Sequence, residues 1–578
     1  MEYKIEKRIC QNCKKDFVIE PDDFGFYEKI KVPPPTFCPE CRLIRRLAWR
    51  NEKSLYRNEC RKCEQSVISV FPKDSGMLVY CRPCWWGDGW DGTKYASDFN
   101  ENEDFFFQLN NLLHQAPVPS LFGIYLTLVN SEYTNMVTDL RNCFMITHSD
   151  FDENCLYGSV IDRCKECVDN TMLNDCELCY ENVDCQKCYH TLYSVDCANC
   201  RHLYFSQNCV DCSDCFGCVN LRSKKYHIFN EAYSKEEYQE KLKKLELNSY
   251  RKIKKIEEKV FDFWKKFPQK YMHERHNINV SGDYIYNSKN VHDSFIVSDT
   301  EDSRFCTFVT HGEKTTDAYD FTHYGIAAEL LYECLQTGNH ISNIKFCWYT
   351  ALNTNDMEYS MFNMGCKNCF GCVGLHKKQY CILNKQYTKE EYGKLVSKIK
   401  KHMNEMPYVD KQGLIYKYGE FFPIELSPFG YNATTAQEFF SLTKEEINQK
   451  NYGWKESENK DYKIDILPEN LPDTTDAVDE RILSQVIGCE HKGLCNETCM
   501  TAFKIIPEEL QFYKRMNLPL PRLCSNCRHY QRNKFRNPMK LWHRKCMKQG
   551  CQNEFETSYA PDRPEIVYCE KCYQQEVY

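Results

Sequence analysis

Cysteines are the residues of this sequence whose type and spacing could do chemistry. The 578 residues hold 38 of them in four blocks: eight between Cys10 and Cys84, fourteen between Cys143 and Cys218, seven between Cys306 and Cys381, and nine between Cys489 and Cys572. Zinc takes four ligands in a tetrahedron, and a C-x-x-C turn delivers two sulfurs to one ion, so two such turns complete a closed structural site. The first block predicts two sites, Cys10, Cys13, Cys38 and Cys41 in one and Cys60, Cys63, Cys81 and Cys84 in the other. The last block predicts two more, from Cys495, Cys499, Cys524 and Cys527 and from Cys546, Cys551, Cys569 and Cys572. Cys489 and His491 stand beside the third set and leave it open by one ligand. About four zinc ions per chain are expected, and the end modules should need them to fold, because binding to a structural site supplies folding free energy directly.

Other cysteine chemistry is less well matched. A thioredoxin-type C-x-x-C needs a βαβ setting that is absent. Cys209, Cys212, Cys215 and Cys218 are spaced like part of a ferredoxin run, which keeps an iron–sulfur or redox reading open beside a structural one. The chain shows no phosphate-binding loop, dinucleotide fingerprint, H-E-x-x-H or G-x-S-x-G. No catalytic residue is assigned. His311, His323 and His340 read as surface or core histidines, and Asp317, Asp320 and Asp356 as solenoid-turn aspartates that an enzyme could use.

The elements that must position these cysteines are duplicated. A shift of 486 residues lays Cys38, Cys41, Arg42, Arg46, Arg50, Asn51 and Cys60 on Cys524, Cys527, Arg528, Arg532, Arg536, Asn537 and Cys546. A second duplication joins residues 215–238 to 369–392, which agree at 15 of 24 positions. Both copies end in a capping box, Ser234-x-x-Glu237 and Thr388-x-x-Glu391, opening amphipathic helices over 234–266 and 389–405.

In the first central block eight cysteine pairs recur at a spacing of 21, many behind Asn or Asp (Asn142, Asn154, Asp175, Asp184, Asp196, Asn208). That pattern predicts a β-solenoid of 21-residue repeats with cysteines stacked inside and Asn or Asp serving the turns. Cys155, Cys176, Cys197 and Cys218 should then form one row. The second block reads as a degenerate copy with steps nearer 13.

Between the two cysteine pairs of the first site at each end runs F-x-I-x-P, then F-Y, then P-x-P-x-x-C-x-x-C-R. This pattern, over 10–46 and 495–532, resembles the small zinc-ribbon and treble-clef domains of bacterial proteins. The whole chain resembles bacterial proteins with several C-x-x-C pairs, a family that brings no activity with it. The expected fold is multidomain α+β: two zinc-ribbon or treble-clef-like double modules flanking a duplicated, β-rich, solenoid-like body with capping helices. Its boundaries are 1–110 and 481–578 for the end modules, 120–222 and 280–376 for the solenoids, 223–270 and 377–406 for the helical segments, and 407–480 for an irregular connector.

Charge points to a partner. From Lys514 to Lys548 eleven Lys or Arg occur with no Asp or Glu, interleaved with Tyr530, Phe535 and Trp542. Phosphate-neutralising charge beside stacking faces suits RNA or single strands. Arg42, Arg46, Arg50, Arg528, Arg532, Lys534, Arg536 and Trp542 are the expected contacts. The opposing reading pairs these cations with the acidic first solenoid, where 139–214 holds fourteen Asp or Glu against five Lys or Arg. A mean hydropathy of −0.64 and the lack of an apolar run near the roughly 18 residues of a membrane helix exclude a membrane-spanning class. The mixed-charge start leads into no apolar stretch, and the cysteine content fits a reducing compartment, so the cytoplasm is expected. A zinc-stabilised binding or scaffold protein, with nucleic acid or protein as partner, is the leading function; an enzyme or a redox protein using the central cysteines is the alternative. Oligomeric state is not legible.

Overall fold

The solenoids are built from triplets. In the computed structural model, which describes residues 3–310, 314–456 and 463–577, every third residue from Met136 to Phe229 takes a positive φ. Each triplet therefore turns the chain, and four triplets close one coil. Parallel pairing joins residues twelve apart, as in Ser159 with Thr171 and Thr171 with Val183. Asn and Asp tolerate the left-handed region better than other side chains, and Asn142, Asn154, Asp175, Asp184, Asp196 and Asn208 all occupy it. Several also form ladders between coils: Asn130 Nδ2 donates to Asn142 at 3.1 Å and Asn142 Nδ2 to Asn154 at 3.0 Å.

The 21-residue repeat is thereby corrected to a 12-residue coil. Both numbers are multiples of three, so cysteines confined to one position of the triplet recur at either spacing. A step of 21 ends one side short of two full coils. Cys155, Cys176, Cys197 and Cys218 consequently lie on four different sides rather than in one row, while Cys164, Cys176, Cys188, Cys200 and Cys212 are stacked twelve apart. The second solenoid keeps the triplet with insertions. Its coils step by 11 at the start, as from Val280 to Val291, then by 12, as from Asn355 to Lys367, or by 13, as from Ile326 to Asn339, and by 15 from Thr300 to Thr315.

The chain divides into two compact units, and each holds one end module and one solenoid. The first comprises residues 1–121, 272–456 and 539–541, so the N-terminal module accompanies the second solenoid. The remainder, 122–271, 457–538 and 542–578, places the C-terminal module with the first solenoid.

Both capping boxes form, at Ser234 before helix Lys235–Lys243 and at Thr388 before helix Lys389–Glu405. The expected single helix over 234–266 is broken: Glu246 takes a φ of 50°, and a second helix runs Tyr250–Trp264. That helix buries Ile253, Val260 and Trp264 in a cluster with Tyr180, Val195 and Phe205 on the outside of the first solenoid and Tyr513 of the end module. The supposed connector is in part core. Phe421, Phe422 and Tyr431 are buried in the first unit, and Trp49 Nε1 donates to the Pro423 carbonyl at 3.2 Å.

Candidate metal centres

In each half-module a short antiparallel hairpin brings the first cysteine pair and the start of a helix brings the second. The hairpins pair Glu6–Ile9 with Asp16–Ile19, Tyr56–Glu59 with Ser66–Ser69, Ile487–Gly488 with Ala502–Phe503, and Trp542–Lys545 with Glu554–Thr557. At the N-terminal hairpin tips Lys14 and Glu64 take a φ of 60° directly after the second cysteine, and their amides bond back to the Cys10 and Cys60 carbonyls at 3.0 and 2.8 Å. Cys38, Cys81 and Cys524 cap the helices Pro39–Leu47, Arg82–Trp86 and Ser525–Asn533, and Cys569 directly precedes Glu570–Val577. Their partners Cys41, Cys84, Cys527 and Cys572 follow three residues later, on the same helical turn.

The sulfurs converge as one metal ion requires. Each of four cysteine sets keeps its Sγ atoms within 4.8 Å of one another. A metal–sulfur bond of about 2.3 Å in a tetrahedron implies sulfurs about 3.8 Å apart. Cys13 and Cys38 are 3.7 Å apart, Cys63 and Cys81 3.8 Å, Cys489 and Cys527 3.8 Å, and Cys551 and Cys569 4.0 Å. A backbone amide also points at the first sulfur of every set: Cys38 N to Cys10 Sγ at 3.3 Å, Cys81 N to Cys60 at 3.2 Å, Cys524 N to Cys489 at 3.3 Å and Cys569 N to Cys546 at 3.3 Å. Such donors favour thiolate over thiol. Burial pushes the Cys60 thiol up, but the amides of Cys81, Cys63 and Lys62 outweigh it and bring it down to about 7.

The same amide bond singles out Cys489 in the third set, which the spacing left open by one position. Cys489 occupies the place of Cys10, and the four converging sulfurs are Cys489, Cys499, Cys524 and Cys527. Cys495, expected as a ligand, stands outside that set. The close spacing of Cys495 and Cys499 misled because the hairpin tip is longer here: Cys499 lies ten positions after Cys489, whereas Cys13 lies three after Cys10. The other fifteen expected cysteines fall in the sets assigned to them.

Most of the arginines expected to face nucleic acid are buried against solenoid carboxylates, which corrects their placement. Arg42 reaches Asp320 at 2.8 Å, and Arg46 reaches Asp320 at 3.2 Å and Glu333 at 3.7 Å, all at most 1% exposed. Arg45 bridges Glu333 at 2.6 Å and Glu420 at 2.9 Å. Arg50 is buried against Glu52 and donates to His323 Nδ1 at 2.9 Å. The second unit repeats the arrangement: Arg528 meets Asp169 at 2.8 Å and Glu509 at 3.2 Å, and Arg532 meets Asp169 at 3.1 Å and Glu181 at 3.4 Å. Asp320 and Thr322 stand to Arg42 and Arg46 as Asp169 and Thr171 stand to Arg528 and Arg532. A helix whose first turn carries two of the converging cysteines must rest its other face on something, and here that face is cationic and the solenoid acidic. Arg536 is also buried, Lys534 is exposed and pairs with Glu497 at 3.0 Å, and Trp542 is half-buried on its hairpin. In the second unit this clamp is the pairing with the acidic first solenoid that the sequence offered as the opposing reading, and the matching Asp-x-Thr segments at 169–171 and 320–322 mark its partners.

Burial pushes Glu333 up to about 7 against the pull of Arg45, Arg46 and Arg42, and does the same to Glu181 against Arg532 and Arg528. Glu181 borders a cleft of about 660 Å³ lined by Tyr180, Tyr193, Phe205, Tyr250, Arg528 and Arg532, among others. A carboxyl raised in this way beside a cleft would suit acid–base catalysis. The sister Glu333, 0% exposed within its own arginine network, carries the same shift, so the shift belongs to the shared clamp.

The fourteen cysteines of the first solenoid are all buried. Their thiols donate to backbone carbonyls of the coil: Cys155 Sγ reaches the Glu153 and Cys164 carbonyls, both at 3.4 Å, as Ser194 Oγ reaches Leu192 at 3.0 Å. Cys209, Cys212, Cys215 and Cys218 take the four sides of a single coil and are not among the convergent sets found in the described residues. Asp317 pairs with Lys29 at 2.9 Å, Asp356 accepts from Asn343 at 2.8 Å, His340 is exposed, and His311 lies outside the described residues. No helix among the described residues is long and apolar enough to cross a membrane. Comparison with protein-family models, curated proteins and solved structures finds no match to this chain.

Proposed function

We propose that this chain is a zinc-stabilised binding and scaffold protein. Four tetrathiolate zinc ions fix the end modules, and each module clamps a solenoid whose outer faces are presented to a partner. The observation that carries the reading is the convergence of four cysteine sets with sulfur separations of 3.7–4.0 Å, each with the same amide-to-sulfur bond. Zinc is favoured among metals because four thiolates in a tetrahedron suit it and leave no open position for catalysis. One hairpin pair and one helix-borne pair per site support the treble-clef reading over the ribbon reading, in which a second hairpin would supply the second pair. None of the 38 cysteines is paired in a disulfide, which fits a reducing compartment such as the cytoplasm.

A protein partner is favoured over nucleic acid, because the clamp buries Arg42, Arg46, Arg528 and Arg532, four of the cations that had pointed to phosphate. Metal analysis of the purified full chain tests the reading. At least four zinc equivalents per chain are expected, with loss of the module fold on exhaustive chelation. Fewer than four, or modules that keep their fold without metal, would overturn it.

A further inference from the structure

The long hairpin tip of the third site carries its own ligand set. His491, Cys495 and Glu497 all lie in the ten-residue span from Cys489 to Cys499, and their ligand atoms converge with Cys527 Sγ within 4.8 Å. Cys495 and Cys527 are 3.8 Å apart, the sulfur separation of a tetrahedral zinc site. His491 Nδ1 and Glu497 Oε2 are 3.1 Å apart, near the roughly 3.3 Å between nitrogen and oxygen ligands whose bonds to zinc are about 2.0–2.1 Å.

These two atoms form an ion pair with no hydrogen-bond partner beyond it. Both are shielded from solvent, and neither makes a hydrogen bond despite the short contact. Buried polar atoms of this kind call for an explanation such as a bound ion. The other carboxylate oxygen of Glu497 is held by Lys534 Nζ at 3.0 Å, which turns Oε2 toward the cysteines.

We propose that this corner binds a second zinc ion, held by His491 Nδ1, Cys495, Glu497 and Cys527, with Cys527 bridging it to the ion of the four-cysteine set. The inference rests on the zinc reading of that set. Five thiolates and one carboxylate around two dications leave a formal charge of −2, the same as one zinc with four thiolates, so the added ion brings its own neutralisation. Four protein ligands close its shell and make it structural. The N-terminal module, with its three-residue spacing from Cys10 to Cys13, lacks room for the same insertion, so the pair of ions distinguishes the two ends of the chain.

Native mass spectrometry of the full chain, loaded with zinc alone and freed of loosely bound metal, tests this. Five zinc ions are expected, one beyond the four cysteine sets, falling to four in His491→Ala with Glu497→Gln, which leaves every ligand of those sets in place. Should the double variant fold poorly, Glu497→Gln or Cys495→Ser alone should show the same loss of one ion. Four ions in both wild type and variant overturn the inference and leave the zinc reading standing. Five in both place the extra ion elsewhere and overturn it as well. Fewer than four in the wild type remove the zinc reading itself and the inference with it.

Discussion

Replacing Asp320 with Asn tests the clamp between module and solenoid. Asp320 is fully buried and accepts from Arg42 Nε at 2.8 Å and Arg46 Nη1 at 3.2 Å. After the change Arg46 keeps Glu333 at 3.7 Å, but Arg42 keeps only the Phe37 carbonyl at 2.8 Å as a close acceptor. Removing one partner of a buried pair costs about 3–5 kcal/mol, because the remaining charge is left uncompensated. The first unit has roughly 300 residues, and at about 2.1 cal/mol/K per residue its unfolding entropy is about 0.6 kcal/mol/K. The expected fall in Tm is therefore about 5–8 °C. Asp169→Asn should cost less, about 2–5 °C, because Arg528 retains Glu509 at 3.2 Å and Arg532 retains Glu181 at 3.4 Å. Calorimetry of the zinc-loaded full chain measures both. Adding Arg42→Met to Asp320→Asn should recover part of the loss, since it removes the orphaned charge. The reasoning fails if Asp320→Asn melts within about 1 °C of wild type, or if the two substitutions simply add.

Three further outcomes are expected. Cys197→Ser should cost under about 1.5 kcal/mol, because a hydroxyl can donate to the same carbonyl, whereas Cys197→Phe should cost roughly 1–3 kcal/mol or more by overpacking the coil; thermal melts of the two variants rank them. Thiol labelling after zinc chelation should reach the 17 end-module cysteines well before the 21 buried ones of the two solenoids, and simultaneous reaction of all 38 would deny the solenoids any independent protection. The full chain should bind a short single-stranded RNA no more tightly than about the 10⁻⁴ M of non-specific contacts; a tighter, steeply salt-dependent affinity would restore the nucleic-acid reading.

Ligand spacing was legible wherever the hairpin tip was short. It failed at Cys495 because a long tip lets a distant cysteine fold back, and sequence distance alone does not choose between Cys489 and Cys495. The solenoid was legible as a class from inward cysteines following Asn or Asp, and the left-handed φ at Asn142 and Asp196 gives the reason those residues stand there. Its period was hidden because any multiple of three satisfies the same cysteine position. Both capping boxes could be read locally, at Ser234 and Thr388, since the cap bonds span only three residues. The arginines illustrate the opposite limit. Their clustering was plain, but their burial depends on Asp320 and Asp169, which lie 278 and 359 residues from Arg42 and Arg528 and which no local pattern connects to them.

Those separations also bear on how the chain folds. Each unit repeats one design, a helix that carries two of the converging cysteines and whose arginines grip an Asp-x-Thr coil, but the order differs: the module precedes its solenoid in the first unit and follows it in the second. The second solenoid therefore reaches the N-terminal module only after the first solenoid has been made. Closing so long a loop costs entropy, although the cost grows only as the logarithm of its length. What matters more is that three buried arginines, Arg42, Arg45 and Arg46, must wait for their carboxylates. The proposed zinc ions would answer that need, because every cysteine set spans at most about 40 residues and can form locally. A module already fixed by its ions presents its arginine face as a rigid fork, so docking onto the solenoid no longer has to order the helix as well. On this argument the metal serves the clamp as much as the module, and chelation should loosen the grip of Arg42 on Asp320 before the solenoid coils themselves give way.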